Sequence, residues 1–246
     1  MNDLLFYLQS YWWCILAVMV LSYILGSINF AVVFTRLVKK QDIRTLGSGN
    51  AGFTNVLRCV GVFPAVMTFV FDFIKAILST LAARLLITYL PVEGVAEGSA
   101  LKTEYMYYTM FIAGLFCVIG HSFPVFFNFK GGKGVVTTAA MMLVIDWRFM
   151  LLVLGTFLIV FAISRIISLG SICAGISMGP WNWLVMYNFV YKPSLETDAP
   201  LSITFVIVTT VMAVAVATFA IIKHKDNIVR LIHGEEKKIT AKKKEA

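Results

Sequence analysis

Apolar runs long enough to cross a bilayer recur from one end of this chain to the other. A helix needs about 20 residues to span a hydrocarbon layer of about 30 Å. Lipid admits only helices and closed barrels, because each backbone polar group must find its partner within the protein. Period-two alternation is absent and the runs are longer than barrel strands, which leaves helices. A water-soluble domain could not hide this much apolar surface, since 59% of the residues are hydrophobic and only 14% charged. The chain therefore reads as an all-α integral membrane protein, a single polytopic domain over residues 1–246. About seven transmembrane helices are predicted, near 11–35, 60–89, 102–120, 134–147, 149–168, 170–191 and 201–222. The fourth, at about 21 Å, is shorter than the hydrocarbon thickness, so either the bilayer thins there or the preceding loop dips inward under protein cover. The first run, Tyr11–Thr35, outruns a signal-peptide core and meets no small-residue cleavage site, so it is expected to be retained.

Charge sets the orientation. With seven spans, one side collects sixteen Lys and Arg residues, from Arg36 through Lys130 and Arg165 to the tail. The other side holds only Lys102, Arg148 and Lys192, while Lys75 and Arg84 fall inside the second span. The excess places the N-terminus outside and the C-terminus in the cytoplasm, with 223–246 as a basic cytoplasmic tail. The net charge of +8 then follows from topology and anionic headgroups, and implies no nucleic acid. Cys14, Cys59, Cys117 and Cys173 stand singly in or beside apolar runs, as core filler does, and no metal site is expected.

Three polar stretches break the apolar pattern, all on the predicted cytoplasmic side: RTLGSGNAGFTNVLR (44–58), GHSFPVFFNFKGGKG (120–134) and KHKDNIVRLIHGEEKK (223–238). Any one of them could be a plain connection, a glycine turn or positive-inside dressing. Their convergence on one compartment favours phosphate binding. Gly49, Gly131, Gly132 and Gly134 let backbone N–H groups approach an anion, and a helix opening after Gly134 adds its positive end. Ser48, Asn50, Thr54 and Asn55 supply hydroxyls and amides, and Arg58 and Lys133 supply one cation from each loop, enough for two phosphates. This is not a nucleotide-hydrolysing P-loop, because Phe127 stands where the first glycine should be and Gly134 where Ser or Thr should be. No Asp–His pair is evident that would activate Ser48, and no GxSxG elbow frames it, so a hydrolase triad with His121, His224 or His233 is not expected.

These stretches resemble, in order and spacing, the three cytoplasmic motifs of the acyl-phosphate-dependent glycerol-3-phosphate acyltransferase family, the PlsY-type bacterial membrane enzymes. The matching segments are GSGNAGFTNVLR, GHSFPVFFNFKGGKGV and HKDNIVRLIHGEE, with LGSINF and FDFIK (71–75) extending the likeness over most of the chain. Phe53 departs from the pattern, where the family commonly has Ala. The resemblance implies acyl transfer from acyl phosphate to the 1-hydroxyl of glycerol 3-phosphate, giving lysophosphatidic acid and phosphate in phospholipid synthesis. It implies a bacterial inner membrane, lipids and two phosphorylated substrates as partners, no cofactor, no metal and no obligate protein partner. Carried over by position, Ser48, Gly49, Asn50, Thr54, Asn55, Arg58, Gly131, Gly132, Lys133 and Gly134 would bind the substrates. His121, His224 and Asn227 would complete the catalytic site, with Glu236 orienting a cation or a substrate hydroxyl. The proton acceptor is either a histidine or a phosphate oxygen of the donor, and the lack of an evident carboxylate orienter for any histidine favours the second. An HxxxxD acyltransferase motif is absent, since Phe126, Val229 and Lys238 lie five residues after the three histidines.

The competing reading is a transporter for a small phosphorylated solute, because Asp72, Lys75 and Arg84 lie within a predicted span. Against it, Asp72 and Lys75 are i, i+3 and can neutralise each other, and no internal repeat is found. In the tail, a helix continuing out of the last span would place His224 and Asn227 on one face.

Overall fold

The computed structural model describes residues 2–90 and 99–238, and every regular element among them is helical. In chain order they are α1 (Asn2–Ser10), α2 (Trp12–Gly26), α3 (Phe30–Lys39), α4 (Phe53–Cys59), α5 (Val62–Tyr89) and α6 (Ala100–Ser122). There follow α7 (Val135–Ile145), α8 (Trp147–Ser164), α9 (Ile167–Val185), α10 (Lys192–Ser194), α11 (Ile203–Ile222) and α12 (Lys225–Ile232). Five stretches are long and apolar enough to cross a membrane: Trp12–Lys39, Val62–Tyr89, Ala100–Phe127, Trp147–Ser164 and Ile203–Ile222. Large apolar side chains such as Leu21, Phe63, Ile163 and Val211 point outward, as lipid-facing surface does.

Each predicted run contains a helix, but three differ from expectation in an instructive way. The first is broken. Gly26 ends α2, and Asn29 starts α3 by accepting a hydrogen bond from the Val32 N–H at 3.1 Å. The fourth is only 11 residues, about 16 Å, because the Asp146 carboxylate accepts from the Arg148 N–H and so opens α8 instead of continuing α7. The sixth runs past Val185 through a π-helical turn, Met186–Tyr191. Helix α1 has no counterpart among the predicted runs; its Tyr7 is buried, stacked on Tyr105 at 4.3 Å. Most of the external loop expected near 90–104 lies outside the described residues, as do Lys242–Lys244.

The centre of the fold is α6, packed against α2, α5, α7 and α11. Small residues let it touch α2 backbone to backbone: a Cβ on Gly26 would lie 2.2 Å from the Cys117 carbonyl oxygen, and one on Gly120 2.2 Å from that of Tyr23. In lipid, where apolar burial drives little helix association, such close approach supplies the packing. It also brings the end of α2 level with the end of α6, where the second polar stretch begins.

Candidate active site

The first stretch folds back on itself around Asn55. The Asn55 amide oxygen accepts from the Ser48 N–H at 3.1 Å, and its NH₂ donates to the carbonyls of Leu46 (2.9 Å) and Ile43 (3.3 Å). Asn55 is 2% exposed, so it shapes the loop and offers no free group to a ligand. That shaping leaves Ser48 and Gly49 on the surface, with Asn50 and Thr54 half-buried and Arg58 exposed at the last turn of α4. Among the described residues, the side chains of Ser48, Asn50, Thr54 and Arg58 make no hydrogen bond or ion pair, so their polar groups are available. Phe53 does not crowd this loop, because its ring packs edge-on against Phe69 of α5.

Arg44 ties this loop to the second stretch, donating to the Phe127 carbonyl at 2.5 Å while its other nitrogens grip Asp42. That grip holds the Asp42 carboxyl well below the usual range, so the anchor stays charged. The second stretch then turns tightly: the Gly131 and Gly132 N–H groups donate to the carbonyls of Ser122 and His121 at 3.2 and 3.1 Å. Gly134 precedes α7 with φ of 80°, a left-handed conformation natural to glycine. A Cβ on Gly132 would lie 2.2 Å from His121 Nε2 and 2.7 Å from the Ala51 carbonyl oxygen, so only hydrogen fits between the two motifs. Gly132→Ala is accordingly expected to cut activity at least tenfold and to lower the melting temperature, measured on purified protein; wild-type values for both would mean the loops do not meet here.

The third stretch reaches the second. Helix α11 does not continue as expected: it stops at Ile222, the chain turns at Lys223 and His224, and α12 starts at Lys225. His224 and Asn227 are nonetheless both buried, at 4% and 5% exposure, and on the same side as the glycine loop. Lys133 donates to the Asn227 amide oxygen. The Asn227 NH₂ donates to Glu236 at 2.7 Å, and Glu236 also accepts from Ser168 (2.7 Å) and Arg230 (2.7 Å). Burial alone would raise the Glu236 pKa, but these three donors outweigh it and keep the carboxylate ionised. Lys133 is pushed down to about 8, chiefly by burial and then by the Arg230 charge. His224 is pushed below the usual imidazole range by burial, and its Nδ1 lies 2.8 Å from the Ala220 carbonyl oxygen. With Nδ1 carrying the proton, Nε2 is left as the acceptor.

The structure thus gathers the three predicted stretches through direct contacts, the first and second through Arg44 and Gly132, the second and third through Lys133. His121 differs from expectation. Sequence pointed to no carboxylate orienter for any histidine, yet Asp72 Oδ1 lies 3.5 Å from His121 Nδ1, and the ring is 4% exposed with Nε2 against Gly132. The two residues are on different helices, so no local spacing could reveal the pair. Lys75 completes the cluster, 2.7 Å from Asp72, as the i, i+3 spacing suggests. Sequence reasoning also missed Arg44 as the bridge between loops and Asn29, whose NH₂ reaches the Ala51 carbonyl at 3.3 Å.

Comparison with known proteins places this arrangement. A model of the glycerol-3-phosphate acyltransferase family matches residues 16–234, through the first two polar stretches and most of the third. A protein of that name from Finegoldia magna (strain ATCC 29328 / DSM 20472 / WAL 2508) is 34% identical over 220 residues, covering 89% of this chain and 93% of its own. Another, from Francisella tularensis subsp. mediasiatica (strain FSC147), is 32% identical over 228 residues, covering 93% and 94%. Among solved structures, the glycerol 3-phosphate form of PlsY (YgiH), an integral membrane glycerol 3-phosphate acyltransferase, matches with a TM-score of 0.71 at 31% identity, covering 92% of this chain and 96% of that one. Its lysphosphatidic acid form matches with a TM-score of 0.69 at 30% identity. A family match over this length, carried by relatives and structures above 30% identity and holding the loops just described, leads to one conclusion: the chain belongs to the glycerol-3-phosphate acyltransferase family.

Proposed function

We propose that this protein moves a fatty acyl group from acyl phosphate to the 1-hydroxyl of glycerol 3-phosphate, at the cytoplasmic face of a bacterial inner membrane. The observation that carries the reading is the contact among the three polar stretches at helix ends: Arg44 and Ala51 of the first meet the second at Phe127 and Gly132, and Lys133 of the second meets Asn227 of the third, while Arg58 stands exposed on the first. Two phosphates call for two cations, and an acyl tail can lie among helices while its head reaches the loops. The ionised Glu236 fixes Asn227 and Arg230, and Asn227 in turn aims the Lys133 ammonium. His121, walled in by Gly132, is placed to support the loop and not to meet a substrate. His224 suits the proton acceptor: neutral, oriented by the Ala220 carbonyl, with Nε2 facing away from that bond. In this scheme Nε2 takes the proton of the attacking 1-hydroxyl, the tetrahedral intermediate collapses with loss of phosphate, and the imidazolium returns its proton to that phosphate. Acyl phosphate is already activated, so no covalent enzyme intermediate is needed.

Purified protein given acyl phosphate and glycerol 3-phosphate is expected to form lysophosphatidic acid, and acyl-CoA or acyl-carrier protein offered as competing donors should not replace acyl phosphate. Uptake of glycerol 3-phosphate into vesicles without any product would support a transporter in its place. The proposed orientation rests on the cation asymmetry. A reporter fused after Ala246 should be active in the cytoplasm; labelling of a tail cysteine from outside intact cells would overturn both the orientation and the site's placement.

A further inference from the structure

The break between α2 and α3 and the charged pair in α5 belong to two segments, LGSINF and FDFIK, that the substrate contacts do not absorb. Helix breaks inside a membrane free backbone groups that need partners. Here the freed carbonyls of Gly26 and Ile28 accept from the Lys75 ammonium at 3.0 and 2.6 Å. Lys75 is 2% exposed, neutralised by Asp72 at 2.7 Å, and 3.2 Å from His121 Nδ1. His121 then presents its far edge to Gly132 of the second motif. From the same break, Asn29 reaches the Ala51 carbonyl of the first motif, and the Ser27 hydroxyl accepts from the Val125 N–H at 3.4 Å. Gly132 and Ala51 face each other, so the chain of contacts closes into a ring.

We propose that Lys75, Asp72 and Asn29 are positioning residues: the helix break, held by the buried ion pair, sets the spacing between the two phosphate-binding loops. None of the three reaches the exposed ends of Ser48 or Arg58. They act through His121 on one loop and through Ala51 on the other. The same pair placed merely to neutralise charge would not need to join both motifs to one three-residue break. The inference rests on the substrate site proposed above.

Two variants test it. Asp72→Asn with Lys75→Met removes both charges at similar volume, a replacement that buried ion pairs often tolerate without loss of stability. Asn29→Ser keeps a hydroxyl to cap α3 but cannot reach Ala51. On purified, folded protein, each is expected to raise KM for glycerol 3-phosphate and to lower kcat, with kcat/KM down at least tenfold for the double variant and at least fivefold for Asn29→Ser. A purely structural role would lower the melting temperature or the folded yield and leave both constants of the folded protein at wild-type values, which would overturn the inference. If the double variant does not fold, Asn29→Ser alone decides: wild-type constants overturn the inference, and the split in KM and kcat supports it. Wild-type protein without acyl transfer in the same assay would overturn the proposed function and this inference together, whereas wild-type turnover with unaltered variants overturns only the positioning role.

Discussion

Lys133→Ala is expected to lose most of the activity while the protein still inserts and folds. A hydrogen bond to a charged group contributes roughly 1.5–3 kcal/mol, which corresponds to a loss of about ten- to a hundredfold in kcat/KM. The loss should fall mainly on the phosphate-bearing substrates, because among the described residues the ammonium donates only to Asn227. The fold should survive, since Lys133 sits in a loop and its removal leaves Asn227 still bonded to Glu236 at 2.7 Å. Lys133 also predicts a pH dependence. Its pKa is pushed down to about 8 in the ligand-free protein, so the cation is present below that pH and lost above it. Binding of a phosphate needs the cation, so KM for glycerol 3-phosphate should rise as pH increases through about 8, and Lys133→Arg, which stays charged, should flatten that rise. Near-normal turnover of Lys133→Ala at low substrate would show the cation to be only an orientation charge.

His224→Ala and Asn227→Ala should each cut activity at least tenfold, about 1.4 kcal/mol in the barrier. For His224 the loss should appear in kcat, because the proton acceptor acts in the chemical step. For Asn227 it should appear in KM as well, because Asn227 links Lys133 to the Glu236 cluster. Deleting Lys242–Ala246 should change little, since those residues lie past the last position of the third stretch. The decisive comparison is the two point variants against the deletion, with turnover measured per folded protein. If the point variants stay active and the deletion abolishes function, the tail is a lipid-surface tether, and the catalytic groups must be sought in the first two motifs.

Much of the site could be read along the chain because its chemistry is local. Glycines beside a lysine, an arginine one turn past a polar loop, and a histidine three residues before an asparagine carry their meaning at short spacing. What escaped was every contact between distant segments. The Asp72–His121 pair joins two helices, Arg44 joins two loops, and Glu236 finds Ser168, each between segments far apart in the chain. Asn55 shows the reverse case. As an amide in a donor-rich loop it looks like a ligand group, but folding uses both ends of that amide to close the loop and hold Ser48 outward.

By itself the sequence determined that this chain is helical and lies in a membrane, because apolar length and the need to satisfy backbone groups in lipid leave no other solution. It also determined which short stretches carry phosphate chemistry, through residue types that act at one to four positions' spacing. Tertiary structure alone decided where the first helix breaks, since the carbonyls freed there find their partner in Lys75, dozens of residues away, and it alone showed that α11 stops at Ile222. It decided as well that the Lys75 cation, paired with Asp72 as its i, i+3 spacing suggests, also caps the broken helix and steadies His121. A charge inside a membrane persists only where several partners meet it at once, and such a meeting exists only after the helices have packed.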